Sequence, residues 1–269
     1  MTHKSPEQEM NEQEQRIKER LARIRNILIV MSGKGGVGKS TIAVNLAVGL
    51  VQSGFKTGLM DVDLHGPSTL KMLGLEDKPI NATADFLIPL SFNQELKVIS
   101  MASLLENSDA AVIWRGPLKI VAIKQFIADV LWDDLDYLII DSPPGTGDEP
   151  LTVAQLIPRA KSIIVTTPQQ VSILDIRKSI IFCRKINMEV LGIIENMSGL
   201  TCPHCGEDID LFSYGGGEKT AEDMDVPFLG RIPIDPKIVT ACDQGKPFIL
   251  DPAGAESFNP FVERIVRET

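Results

Sequence analysis

A chain of 269 residues with 43% hydrophobic and 23% charged residues is composed like an ordinary globular protein and is long enough to bury a core without disulfides, which excludes disordered, collagen-like and coiled-coil classes. A net charge of −9 argues against a broad basic surface for nucleic acid, and no apolar run approaches the roughly 20 residues of a membrane helix. Four cysteines behind a polar, charged N-terminus with no secretory pattern suit a cytoplasmic, reducing setting, where they bind metal, do redox work or lie buried.

Residues 1–25 are rich in Glu, Gln, Lys and Arg. Met10, Ile17, Leu21 and Ile24 recur at helical steps, predicting a charged helical segment with one thin apolar stripe, whose second half docks on the remainder. From Asn26 onward, short apolar runs alternate with longer amphipathic stretches. Strands are predicted at 27–30, 57–60, 97–100, 137–140, 162–165 and 190–194, with a last one near 227–232. Most are apolar without alternation, as strands covered on both faces are. Helices are predicted near 39–53, 117–131, 150–157 and 172–187. Strand and helix in this alternation imply a single α/β domain over 26–269, a mostly parallel sheet with helices on both faces. The Gly-rich, acidic segment 199–226 reads as an insertion or long loop holding two cysteines. Phe258, Phe261, Val262, Ile265 and Val266 have helical spacing, and the short, Glu-bearing stretch is expected to dock on the core rather than anchor in a membrane.

The strongest motif follows the first strand. Gly33-Lys34-Gly35-Gly36-Val37-Gly38-Lys39-Ser40 fits G-x-x-x-x-G-K-[ST] and runs from an apolar strand into an amphipathic helix, the context of a P-loop. Glycines let backbone N–H groups converge on a phosphate without a Cβ in the way, and the helix beginning near Gly38 adds its positive end. Lys39 would neutralise β- and γ-phosphates, and the Ser40 hydroxyl would ligate Mg²⁺. The segment 59–68 ends the second strand with Asp61 and Asp63, which share a face and could both approach one Mg²⁺ and its water. Leu138-Ile139-Ile140-Asp141 places an aspartate at a strand end in the Walker B manner, so Asp141 would hold Mg²⁺. Gly145, in the loop that follows, could set an N–H against the γ-phosphate and rearrange when it leaves. No Asn-Lys-x-Asp segment for reading guanine is present.

Lys34, a second lysine inside the loop, makes the motif specific. Lys34 through Thr41 resembles the deviant Walker A of the MinD/ParA, nitrogenase-iron-protein and ArsA group of ATPases. That resemblance implies that Lys34 reaches the nucleotide of a second subunit, hence ATP-dependent homodimerisation. It also implies that Asp63 orients the attacking water with Asp61 near the metal, two roles that could be exchanged, and that Asn196 contacts adenine, favouring ATP.

Cys202-Pro203-His204-Cys205 is the only C-x-x-C. The spacing leaves a thioredoxin-like redox pair, a zinc site and an iron–sulfur cluster open. Zinc and cluster generally need four ligands, and a two-fold dimer would bring two such pairs together. Together with Gly66-Pro67, residues 141–148, Thr166-Thr167-Pro168-Gln169, Asn196-Met197-Ser198 and Gly215-Gly216-Gly217-Glu218-Lys219, these motifs resemble the Mrp/ApbC iron–sulfur cluster carriers over roughly 25–265. The resemblance implies a [4Fe–4S] cluster bridging two subunits on Cys202 and Cys205, passed to apo iron–sulfur proteins, with slow ATP hydrolysis as a switch. The resemblance departs at the front: 1–25 holds no cysteine, so the N-terminal ferredoxin-like cluster of some relatives is not expected, and neither is the extra N-terminal domain of others. Cys183 is expected to be buried and His204 to be an exposed spacer, with His3 and His65 apart from it in sequence. The competing readings are a MinD/ParA-type positioning ATPase, which would want a membrane helix or basic DNA surface, and a zinc-stapled dimeric ATPase.

Overall fold

The structure, a computed structural model, describes residues 6–63, 66–83, 86–104, 116–202 and 204–269; His3, Leu64, His65 and Pro203 of the motifs above lie outside these. Eight strands form the main sheet: β1 Ile24–Ser32, β2 Thr57–Asp61, β3 Leu90–Phe92, β4 Leu96–Ser100, β5 Leu135–Asp141, β6 Lys161–Thr166, β7 Val190–Asn196 and β8 Phe228–Ile232. Their spatial order is β8-β7-β6-β1-β5-β2-β4-β3. All neighbours run parallel except β3, which turns back antiparallel on β4. The helices are α1 Pro6–Ala22, α2 Lys39–Gln52, α3 Thr69–Met72, α4 Gly116–Ala128, α5 Asp148–Leu156, α6 Gln170–Lys185, α7 Gly216–Asp223, α8 Pro236–Asp243 and α9 Pro252–Glu268.

Alternation along the strands divides the apolar residues between two cores. On β1, Leu28 and Val30 join Ile42 and Leu46 of α2 and Phe258 and Val262 of α9. Ile27, Ile29 and Met31 face the other way, onto Phe126 of α4, Val153 of α5 and Ile176 of α6. This is the parallel sheet with helices on both faces that the alternating pattern predicts. The apolar runs carry no period because both faces are covered.

The N-terminal stripe follows its spacing as far as Leu21, but the helix ends at Ala22, and Ile24, expected on it, opens β1 instead. Ile17, Leu21 and Ile24 are buried, whereas Met10 is exposed. The Arg159 guanidinium donates to the carbonyls of Leu21, Ile24 and Arg25, joining the end of α1 to the start of β1. At the other terminus α9 buries Phe258, Phe261, Val262 and Ile265. It approaches α2 closely at Gly49, where a Cβ would lie 2.6 Å from Val262. Among the described residues no helix is long and apolar enough to cross a membrane.

The segment 199–226 departs from expectation. It is not a loop throughout: Leu200–Thr201 pairs antiparallel with Asp208–Ile209, and α7 occupies Gly216–Asp223. The triple glycine signals a breaker in sequence, yet its role here is close approach. A Cβ on Gly216 would come within 2.8 Å of the Pro168 carbonyl, and one on Gly217 within 2.9 Å of the Glu195 carboxylate.

Candidate functional site

In parallel sheets ligands bind beyond the carboxyl ends of the strands. Those ends carry Ser32 of β1, Asp61 of β2, Asp141 of β5, Thr166 of β6 and Asn196 of β7. The P-loop leaves β1 and enters α2 through Gly36 and Gly38, both in the left-handed region at φ +78° and +85°. Gly33 must be Gly for a different reason, since a Cβ there would come within 2.5 Å of Asp175 in α6. A cavity of about 250 Å³ opens at this point, lined by Gly35, Gly38, Lys39, Ser40, Thr41 and Asp63 among others.

Lys39 is buried, with Nζ 2.5 Å from Asp141 Oδ1, 3.3 Å from Ser40 Oγ and 3.9 Å from Asp63 Oδ2. Asp61 and Asp141 sit at paired positions on neighbouring strands, so two carboxylates meet in a dry site. Burial, and next the charge of Asp141, pushes the Asp61 carboxyl up to about 7, against the pull of the Asp63 N–H, the Thr69 hydroxyl and Lys39. Asp141 is also raised by burial, opposed chiefly by Lys39.

The two acids differ in what they have left to offer. Asp61 Oδ1 accepts the Asp63 N–H at 2.9 Å, and Oδ2 accepts the hydroxyls of Thr69 at 2.8 Å and Ser100 at 3.0 Å. Both its oxygens are engaged, Oδ1 with the backbone of Asp63 and Oδ2 with α3 and β4. Asp141 Oδ2 is buried with no hydrogen-bond partner. An orphaned carboxylate oxygen beside the Ser40 hydroxyl fits a hard cation such as Mg²⁺.

Three expected contacts have other partners here. Asn196 Nδ2 donates to the Val37 carbonyl at 2.8 Å, bracing the P-loop from behind. The Gly145 N–H donates to the Ser32 carbonyl at 2.7 Å, so meeting a γ-phosphate requires that bond to exchange. Lys34 is half-buried, and its Nζ donates to Gln169 Oε1 of the same chain at 3.3 Å.

The cysteines lie elsewhere, at the tip of the small hairpin. Its strands are tied by Thr201 Oγ1 donating to Asp208 Oδ1 at 2.9 Å. The turn is closed by the Cys202 N–H to the Glu207 carbonyl at 2.8 Å and the Gly206 N–H to the Cys202 carbonyl at 2.9 Å. Cys202 is half-exposed and Cys205 exposed. The N–H groups of Cys205 and His204, with the Cys205 thiol, hold the Cys202 thiol below its ordinary range, favouring the thiolate that binds metal. Among the described residues no three His, Cys, Asp or Glu side chains stand together as metal ligands. Cys183 is buried, and burial pushes its thiol up, whereas His204 is exposed. Cys242 joins neither group: its Sγ stands 4.0 Å from the Thr41 hydroxyl of the P-loop.

A sequence profile of the ParA group described as NUBPL iron-transfer P-loop NTPase matches residues 23–268. The chain belongs to this family. An iron–sulfur cluster carrier protein of Methanocaldococcus jannaschii is 48% identical over 259 residues, 96% of this chain and 89% of the relative. The cytosolic Fe-S cluster assembly factor NUBP2 of Homo sapiens is 47% identical over 243 residues, 88% of this chain and 90% of the relative. The solved nucleotide-binding protein of Archaeoglobus fulgidus, in complex with ADP and with Co, superposes with a TM-score of 0.79 at 38% identity, covering 91% of this chain and 96% of that one. MinD of Aquifex aeolicus, at 21% identity and a TM-score of 0.66 over 91% of this chain and 98% of its own, shares the fold. The NUBPL-type chain is thus a nucleotide-hydrolysing P-loop protein in its general class. Sequence patterns assign no role to two residues that the geometry brings forward: Gln169, which closes the Thr166-Thr167-Pro168-Gln169 motif, and Glu195. Each is a single polar side chain at a strand or loop end, and only the charge of Glu195 within an apolar run marks it.

Proposed function

We propose that this chain is an ATP-binding iron–sulfur cluster carrier that works as a homodimer. One observation carries the reading: a P-loop NTPase of this family displays its C-x-x-C at the solvent-facing tip of a hairpin, where one chain offers two thiols and a cluster takes about four. Two chains related by a two-fold axis complete the ligand set, and separating them halves it, which suits cargo that must be given away. The names of the relatives from Methanocaldococcus jannaschii and Homo sapiens support cluster handling, and the second supports a cytosolic setting.

At the nucleotide end, the P-loop N–H groups and Lys39 would cradle ATP, with Thr41 beside them and Asn196 holding the loop and available to adenine through its carbonyl. Ser40 and Asp141 would hold Mg²⁺, with Asp61 behind them; when bound, the ion would neutralise phosphate charge. Asp63 faces the cavity and would orient the attacking water, while Asp61 fixes the backbone of Asp63. Lys34 would leave Gln169 for the nucleotide of the partner subunit. Hydrolysis is then slow, because the catalytic set is complete only in the dimer, and it is coupled to loading or release of the cluster. Recipients are apo iron–sulfur proteins.

The test is anaerobic reconstitution with iron and sulfide, comparing wild type with the double variant Cys202→Ala/Cys205→Ala. The expected result is a brown dimer with about four irons per pair of chains, and a colourless variant. A variant that still holds a full cluster overturns the reading. Colourless wild type with about half a zinc per chain would replace it with a zinc-stapled ATPase.

A further inference from the structure

Glu195 is wholly buried at the end of β7 and is hydrogen-bonded at both oxygens. Oε1 accepts the Ser198 hydroxyl at 2.6 Å and the Gly215 N–H at 3.1 Å, and Oε2 accepts the Gly217 N–H at 2.5 Å. Arg231 Nε of β8 stands 3.4 Å from Oε1. One carboxylate therefore grips both ends of the stretch 199–214, which holds the cysteine hairpin, and faces the N-terminus of α7, where negative charge is favoured. A buried carboxylate is costly unless its oxygens are paired, and here the whole pairing set comes from the root of that stretch and from β8.

The next residue points the other way. Successive strand side chains take opposite faces, and Asn196 holds the Val37 carbonyl of the P-loop. A second link runs through α7, whose Gly216 lies against the Pro168 carbonyl, adjacent to the Gln169 that receives Lys34. The hairpin root is thereby joined to the phosphate loop along one strand end and to the Lys34 contact along one helix turn.

We propose that Glu195 is a positioning residue that couples nucleotide binding to the cysteine hairpin, clamping the hairpin root so that a shift of the P-loop at Val37 moves Cys202 and Cys205. The carrier reading gives this coupling its purpose, but the measurement needs no cluster. Site-resolved alkylation of the apo-protein by iodoacetamide, with and without ADP and Mg²⁺, reads the hairpin at Cys202 and Cys205. It reads nucleotide occupancy at Cys242, beside Thr41. In wild type, nucleotide changes the rate at the hairpin pair by about threefold or more and protects Cys242. In Glu195→Gln and in Ser198→Ala, which removes one bond at the start of the stretch, the hairpin response falls below about 1.5-fold, while ADP affinity and Cys242 protection stay within about twofold of wild type. A purely structural Glu195 would lower the melting temperature and leave the response intact. That outcome, or a wild-type hairpin indifferent to bound ADP, overturns the proposal; should Glu195→Gln not fold, Ser198→Ala decides it. Wild type that fails to reconstitute yet keeps the response would sink the carrier reading and leave the coupling standing.

Discussion

Three carboxylates and one lysine share the nucleotide site, and their unequal surroundings separate their roles. Lys39 lies between Asp141 and Asp63, so removing it would strand buried negative charge. Asp141 keeps one buried oxygen without a hydrogen-bond partner, which suits its proposed role toward Mg²⁺. Replacing it, Asp141→Asn, is expected to erase most of the roughly tenfold or greater gain that Mg²⁺ gives to ATP affinity, while binding in EDTA persists. Calorimetric titrations with and without the metal check this; an undiminished gain would move the metal to other groups. Asp61 yields a pH prediction. A carboxyl whose folded-state pKa is raised to about 7 binds more protons folded than unfolded, so stability falls as pH climbs from the ordinary carboxylate range towards 7. Melting temperatures between pH 5 and about 8 should therefore decline in wild type and decline less in Asp61→Asn, where that titration is gone. Parallel curves would show that Asp61 titrates alike in both states.

At the scale of elements, α1 tests how far the N-terminal segment is part of the fold. Ile17 is 4% exposed in the core shared with α4. Ile17→Ala removes three buried carbons and should cost about 2–4 kcal/mol, seen as a lower midpoint in urea at unchanged slope. A shift within error would mean that α1 detaches without consequence. The same core explains what was legible in the sequence. The strands at 27–30, 57–60 and 137–140 are written as apolar runs because two helical layers demand it, and the pair Ile17 and Leu21 states which face of α1 docks. The P-loop lysines and the ends of β2 and β5 are legible for the same reason, since backbone shape and phosphate chemistry fix residue types at fixed spacing. Elements held by single long-range bonds leave no periodic trace. α7 hides behind Gly215, Gly216 and Gly217, which look like a breaker until Glu195 and Pro168 supply the surfaces they must approach. Asn196 is visible as a polar residue after a strand, but its bond to Val37 spans 159 positions and cannot be read from neighbours.

For the whole molecule, the proposed function turns on the balance between the single chain and the pair. Lys34 has a partner within its own chain, the Gln169 amide, a neutral acceptor that holds a cation weakly. In the proposed homodimer, a triphosphate on the facing subunit would offer several negative oxygens and a stronger charge-assisted bond, which would draw Lys34 from Gln169. On that reading Lys39 would serve the nucleotide of its own chain, and Lys34 would link nucleotide binding to association. Lys34→Ala should therefore bind ADP within about threefold of wild type, since the cradle and Lys39 are untouched. In light scattering with ATP and Mg²⁺ it should remain a single chain at concentrations where wild type pairs. The cluster content after reconstitution should drop with the pairing, although both cysteines are present. A variant that pairs normally with ATP would show that the contact of Lys34 with Gln169 is its working position, and that the dimer draws its energy from another surface.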